Sequence, residues 1–208
     1  MFRPLNPFAL KEKLPTRGNW LTRGIGRTVL RLGGWQFQGK IPNVSKAVLI
    51  AAPHTSTWDF PIGMAAILGV GVNVQWLGKA ELVNGRFRRF FHFLGGIPVD
   101  RRSTNGVVAQ IAEQFRSRPY FLLALAPEGT RKPVERWKLG FYHIAQAADV
   151  PIVPVSLDYG RKWIEVGLPI NPQDDRDTVS QKVADFYEGV LGRNHHKAAL
   201  SLNQIKGN

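Results

Sequence analysis

Apolar and polar stretches alternate along the chain in two periods, and the period changes mark the elements. Residues 46–52 are apolar on both faces and stop at Pro53, which reads as a buried strand. A polar loop follows, and residues 60–69 then show helical spacing. Pro61 is tolerated in a first helical turn but not deeper, so it places the start of this helix and puts Asp59 near its N-cap. The same reading gives strands at 72–77, 97–99 and 120–125, with 120–125 apolar on both faces as in the interior of a parallel sheet. Helices are expected at 82–94 and 104–116. The first has Phe87, Phe90, Phe91 and Leu94 on one apolar face; the second turns Val107, Val108, Ile111, Ala112 and Phe115 inward. A helix at 137–148, a strand at 151–157 and a last helix at 174–191 complete the pattern. The prolines of 151–157 argue for irregular or edge pairing, with 163–166 antiparallel beside it. Residues 35–39 read as a short strand or a lead-in. Strands alternating with helices predict an α/β fold: a single domain with a mostly parallel central sheet flanked by helices.

The two ends read differently. Residues 1–17 are rich in proline and charge and predict an irregular lead-in. In 19–32, Trp20, Leu21, Ile25, Val29 and Leu32 recur at helical spacing, while Arg23, Arg27 and Arg31 recur every fourth residue on another face. This basic amphipathic helix contains Gly24 and Gly26 and ends at Gly33-Gly34. Either it packs on the domain with its arginines in water, or it lies in an anionic membrane surface with Trp20 at the interface. Residues 194–208 are basic and read as a weakly docked tail. The organisation is therefore a lead-in with an amphipathic helix (1–40), a main α/β domain (41–192) and a tail (193–208).

Charge and cysteine count narrow the function. The formal charge is +13 and the pI about 10.5, which favours anionic partners: nucleic acid, anionic lipid or phosphorylated small molecules. With no cysteine, disulfides and thiolate chemistry are excluded. No apolar stretch is long enough to span a bilayer, and the first residues lack a signal-peptide core, so export is not expected and the chain is expected in the cytoplasm or peripherally on the cytoplasmic face of a membrane. There is no P-loop, dinucleotide fingerprint, nucleophile elbow or recognised nucleic-acid-reading module. His92, His143 and His195-His196 do not form a metal-ligand pattern, so no metal and no resident cofactor are expected.

The polar residues that carry chemistry cluster where strands end, the position at which ligands gather in α/β proteins. His54 follows the first strand and Asp59 lies five residues on. A histidine can take a proton from an alcohol near neutral pH, and a carboxylate that fixes its tautomer strengthens it. The alternative is that His54 caps a backbone carbonyl and Asp59 a helix. After the 120–125 strand come Glu128, Gly129, Thr130 and Arg131: Gly129 permits a tight turn, Thr130 offers a hydroxyl, Arg131 can grip phosphate, and Glu128 can hold Arg131 or a substrate hydroxyl. The alternative is a surface turn with an incidental ion pair. Asp100-Arg101-Arg102 and Lys79 add cations at two further strand ends.

In this order and spacing the segments resemble the glycerolipid acyltransferase family of the lysophosphatidate (1-acylglycerol-3-phosphate) type. His54-Thr55-Ser56-Thr57-Trp58-Asp59 resembles its first motif, with Pro53 where the family often has asparagine. Gly96-Ile97-Pro98-Val99-Asp100-Arg101 resembles the second, Pro127-Glu128-Gly129-Thr130-Arg131 the third, and Ile152-Val153-Pro154-Val155 the fourth, while Lys79-Ala80-Glu81-Leu82 resembles the family's lysine and glutamate-leucine segment. The resemblance implies acyl transfer from acyl-CoA or acyl carrier protein to a hydroxyl of a phosphorylated lipid at a membrane face. His54 is then the base, Asp59 its partner, and Arg101, with Lys79 and Arg131, the phosphate grip. Two readings compete: an acyltransferase for another hydroxyl or an amine, and a non-catalytic basic protein that binds anionic lipid or nucleic acid.

Overall fold

The computed structural model describes residues 12–99 and 104–194. Its elements, in chain order, are α1 (Trp20–Leu32), β1 (Gln36–Gly39), β2 (Lys46–Ala52), α2 (Asp59–Val70), β3 (Val74–Lys79), α3 (Ala80–Val83), α4 (Arg88–Phe93), β4 (Gly96–Val99), α5 (Thr104–Ser117), β5 (Phe121–Leu125), α6 (Gly140–Ala148), β6 (Ile152–Asp158), β7 (Trp163–Val166) and α7 (Arg176–Tyr187). Among the described residues, the seven strands form one sheet in the order β1-β7-β6-β2-β5-β3-β4. All its ladders are parallel except β6–β7. The chain is thus an α/β domain with a mostly parallel sheet, as the alternation predicts.

The sheet is covered on both faces, because β2, β5 and β6 are apolar on both sides and would otherwise leave one side in water. On one face Val48, Ile50, Phe121, Leu123 and Ile152 pack against Ile111 and Phe115 of α5, Phe141 and Ile144 of α6 and Val183 and Tyr187 of α7. On the other, Ala47, Val74, Leu122 and Val153 meet Ile67 of α2 and the lead-in residue Leu14, while Ala65 and Ala66 of α2 meet Leu30 and Trp35. α4 joins this second layer through rings: Phe60 of α2 meets Trp76, and Trp76 meets Phe91, at centroid distances of 4.9 and 6.1 Å.

Four sequence expectations change. Pro154 sits inside the sheet, not at an edge. Its carbonyl accepts from Gly167 N at 2.9 Å, but it has no N–H to return, so β7 ends at Val166 and the defect falls at a ladder end. The helix expected at 82–94 is broken at Asn84-Gly85 into α3 and α4, and Phe87 and Phe90 face solvent while Phe91 and Leu94 turn inward. The last two helices are shorter than their spacing suggests. Residues 137–139 are tied to the preceding loop through Lys138 N and Pro127 O at 3.0 Å, and α7 starts only after Asp175 caps it, accepting from Thr178 N at 2.9 Å. β1, counted with the lead-in, is hydrogen-bonded to β7.

The largest change concerns α1. Its apolar row faces outward, with Trp20 83% and Leu32 84% exposed and Leu21, Ile25 and Val29 also in solvent. The helix seats on α2 through Gly26 and Leu30 instead. A Cβ on Gly26 would lie 2.5 Å from Ala65 O and from Gly69 N, so only glycine lets the two backbones approach this closely. The arginines serve the end of α2: Arg27 Nε donates to Gly69 O at 3.0 Å, and the Arg23 guanidinium lies against Gly71. Cations are favourable at a helix C-terminus, where carbonyls lack partners. The helix therefore packs on the domain, with Arg27 and Arg31 exposed and Arg23 half-buried against the end of α2.

Two glycines two residues apart should respond with opposite sign. Gly26→Ala should destabilise the fold by about 1–3 kcal/mol through overpacking. Gly24→Ala meets nothing within 4 Å and should stabilise it by about 1 kcal/mol through helix propensity. Urea denaturation of both variants checks this.

Candidate active site

β2 and β5 are neighbours, paired from Lys46↔Phe121 to Ile50↔Leu125, so the loops leaving their carboxyl ends must meet. They are joined by a partly buried hydrogen bond: the His54 amide donates to Glu128 Oε1 at 2.8 Å. The Ala52-Pro53 peptide is cis. From Pro53 the chain curls so that Asp59 is the first residue of α2, after Trp58 as an N-cap without side-chain bonding, so the helix starts one residue earlier than the spacing suggests. Its carboxylate points back at the loop. Oδ2 accepts from Thr55 N at 2.9 Å and Ser56 N at 2.8 Å and stands 3.2 Å from His54 Nδ1. Oδ1 accepts from the Tyr159 hydroxyl at 2.8 Å.

Asp59 is only 4% exposed. Burial pushes its carboxyl up, but the bonds from His54, the Ser56 amide and Tyr159 outweigh it and hold the group below its ordinary 3.8. The Tyr159 hydroxyl is raised in turn, first by burial and then by Asp59. Glu128 differs. It is 7% exposed, its Oε2 has no hydrogen-bond partner, and burial, ahead of its bond from His54, raises its carboxyl. The His54 side chain keeps 30% of its surface in solvent, so Asp59 holds Nδ1 from within while the ring remains reachable from outside. Under this loop the Tyr187 hydroxyl donates to Ile50 O at 2.6 Å and accepts from Val155 N at 3.3 Å, bridging β2 and β6.

A family model described as Acyltransferase matches residues 35–158, well over half of the chain. The chain belongs to the acyltransferase family. Its activity is acyl transfer, so the reading as a non-catalytic binding protein falls. This acyltransferase is similar in fold to the 1-acyl-sn-glycerophosphate (LPA) acyltransferase PlsC from Thermotoga maritima, with a TM-score of 0.56 and 18% identity, covering 82% of this chain and 77% of that one. No curated protein matches the acyltransferase in sequence.

The structure brings His54, Asp59 and Glu128 together and leaves other expected residues apart. Glu128 forms no ion pair with Arg131; its described partner is the His54 amide, which removes its reading as a holder of that arginine. Gly129 has φ +66°, the left-handed turn its residue type allows. Thr130 Oγ1 accepts from Lys132 N at 3.2 Å, and Arg131 is exposed. Lys79 ends β3, with its side chain outside the described atoms, and Asp100, Arg101 and Arg102 lie outside the described residues. Among the described residues no group of three or more His, Asp or Glu is placed to hold a metal ion.

Three contributors were missed. Tyr159 follows β6 at its carboxyl end, a position that should have drawn notice. Lys138 brings its ammonium over the Gly129 turn, 3.5 Å from where a Cβ would stand. Asn194 donates through Nδ2 to Thr55 O at 2.9 Å and through its amide to Thr55 Oγ1 at 3.2 Å, and nothing in a basic tail signals that.

The Asp59 geometry fixes a pH dependence. Its carboxyl is held below 3.8, so the stability it contributes is present above that value and is lost as pH falls through the folded-state value. Tyr159→Phe removes one charge-assisted bond and should cost about 1.5–3 kcal/mol near neutrality. The gap to the parent should close as pH drops below 3.8. Urea titrations across this range check both parts.

Proposed function

We propose that the protein moves a fatty acyl group from acyl-CoA or acyl carrier protein to a hydroxyl of a phosphorylated glycerolipid such as lysophosphatidate, directly and with His54 as general base. The observation that carries this is the His54–Asp59 pair: a 3.2 Å contact through Nδ1 to a buried carboxylate that is saturated from behind. Nε2 is left to take the acceptor's proton. The acceptor oxygen attacks the thioester carbonyl, the C–S bond breaks, and the proton passes from His54 to the departing thiolate. Asp59 balances the imidazolium while it exists. No acyl-enzyme is needed, since the acceptor oxygen itself attacks the thioester carbonyl. Glu128 Oε2, buried and unpartnered, positions an acceptor hydroxyl. Arg101, Lys79 and Arg131 hold the acceptor phosphate, with Lys138 adding charge beside the Gly129 turn.

The acceptor is reached at an anionic membrane surface, to which the enzyme attaches peripherally through α1 on the cytoplasmic side. The support is the outward apolar row Trp20, Leu21, Ile25, Val29 and Leu32. Among the described residues no helix is long and apolar enough to cross a membrane. Fully burying one such side chain is worth roughly 1.5–3 kcal/mol, against about 0–1 kcal/mol for an exposed ion pair. Apolar insertion therefore holds the protein, and charge steers it.

Kinetics test the chemistry. His54→Ala should lower kcat by about 100- to 10,000-fold, and Asp59→Asn should also be severe. Arg131→Ala should chiefly raise the acceptor KM if it grips phosphate in the ground state. Parent-like turnover of folded His54→Ala, or an acyl group trapped on a side chain, would each overturn the corresponding step. Vesicle co-sedimentation tests attachment. Ile25→Ser with Val29→Ser should weaken binding at every salt concentration, while salt alone should weaken it only in part.

A further inference from the structure

A second apolar surface remains outside the site and outside α1. Phe87, Phe90 and Phe93 are 64%, 56% and 53% exposed, and their spacing of three puts them along one side of α4. Arg86, Arg88 and Arg89 stand exposed beside them and form no ion pair among the described residues. Residues 85–90 surround a shallow depression of ≈ 380 Å³. Bare aromatic rings interleaved with unpaired guanidinium groups suit the boundary of an anionic bilayer, where rings enter the acyl region and cations stay at the phosphates.

The position of α4 points the same way. Its inner side meets Trp76, which meets Phe60 of α2, and α1 seats on the other end of α2 at Gly26. α1 and α4 thus flank one helix on one face of the sheet. The segment leading into α1 is also tied to the end of α4: Arg17, three residues before Trp20, donates to Phe93 O at 3.0 Å and to Leu94 O at 3.4 Å. The start of α1 and the end of α4 are therefore held near each other.

We infer that α4 is a second lipid contact: Phe87, Phe90 and Phe93 enter the interface of an anionic bilayer while Arg86, Arg88 and Arg89 meet lipid phosphates. This rests on the membrane reading of α1. Two points of attachment fix the orientation of the sheet against the membrane, which a single helix free to roll about its axis does not.

The chain has no cysteine, so single labels can be placed cleanly. Ile25→Cys, Phe90→Cys and Leu168→Cys, each in the full chain and carrying an environment-sensitive fluorophore, are mixed with vesicles of phosphatidylcholine and phosphatidylglycerol containing nitroxide-labelled lipid. Labels at 25 and 90 should both be quenched, and the label at 168 should not. Quenching at 25 without quenching at 90 overturns the inference and leaves the α1 reading standing; quenching at neither overturns both. A fluorescence shift at 90 with acidic acyl carrier protein but not with vesicles overturns it in favour of a protein partner. The triple variant Phe87→Ser, Phe90→Ser, Phe93→Ser should bind these vesicles roughly tenfold or more weakly at unchanged thermal stability, and parent-like binding overturns the inference.

Discussion

The structure of the site depends on keeping one carboxylate charged out of water. Burying an ionised group without partners costs more than a small domain can spare, so Asp59 dictates its surroundings. Two amides of the preceding loop must turn inward to it, which forces the curl from Thr55 to Ser56. A hydroxyl must arrive from the far side, which brings Tyr159 from the end of β6. The remaining approach is the one His54 fills. A solvated aspartate would have left both the loop and the imidazole free to choose other geometries.

Glu128 shows the opposite use of a buried acid. It accepts one amide, leaves its second oxygen without a partner, and is pushed toward its neutral form by burial. Two carboxyls within one cluster are thus driven apart in basicity: Asp59 is anchored as the charge opposite His54, and Glu128 is kept responsive to whatever enters. Such divergence is a recurring mark of acid–base sites.

Strands and loops were legible in the chain because their signals are local. The run 46–52 is apolar on both faces and became β2 with the same limits, and His54, Asp59 and Glu128 were found because they stand just past strand ends. Facing was less legible. In α1 the spacing of Trp20, Ile25 and Val29 identified the helix, but a hydrophobic stripe ordinarily points inward, and here Gly26 decided the contact by allowing two backbones to approach. Phe87 and Phe90 misled for the same reason. Asn194 was invisible because its partner lies more than a hundred residues away, and no periodicity encodes such a meeting; Tyr159, as distant from Asp59, offered only its place just past a strand end. Pro154 was read as an edge marker because the missing N–H was assumed to need open solvent, whereas the end of a neighbouring strand serves equally well.

Tyr187 joins the site to the rest of the molecule. Its ring belongs to the far layer, buried beside Trp137 and Phe186, yet its hydroxyl stands between β2 and β6 just below the His54 loop. The floor of the candidate site is thus set by a residue of the last helix, on the opposite side of the sheet from α2. A substitution in that far layer can therefore shift the spacing of the strand ends, and with it the loops they carry, without touching His54, Asp59 or Glu128 themselves.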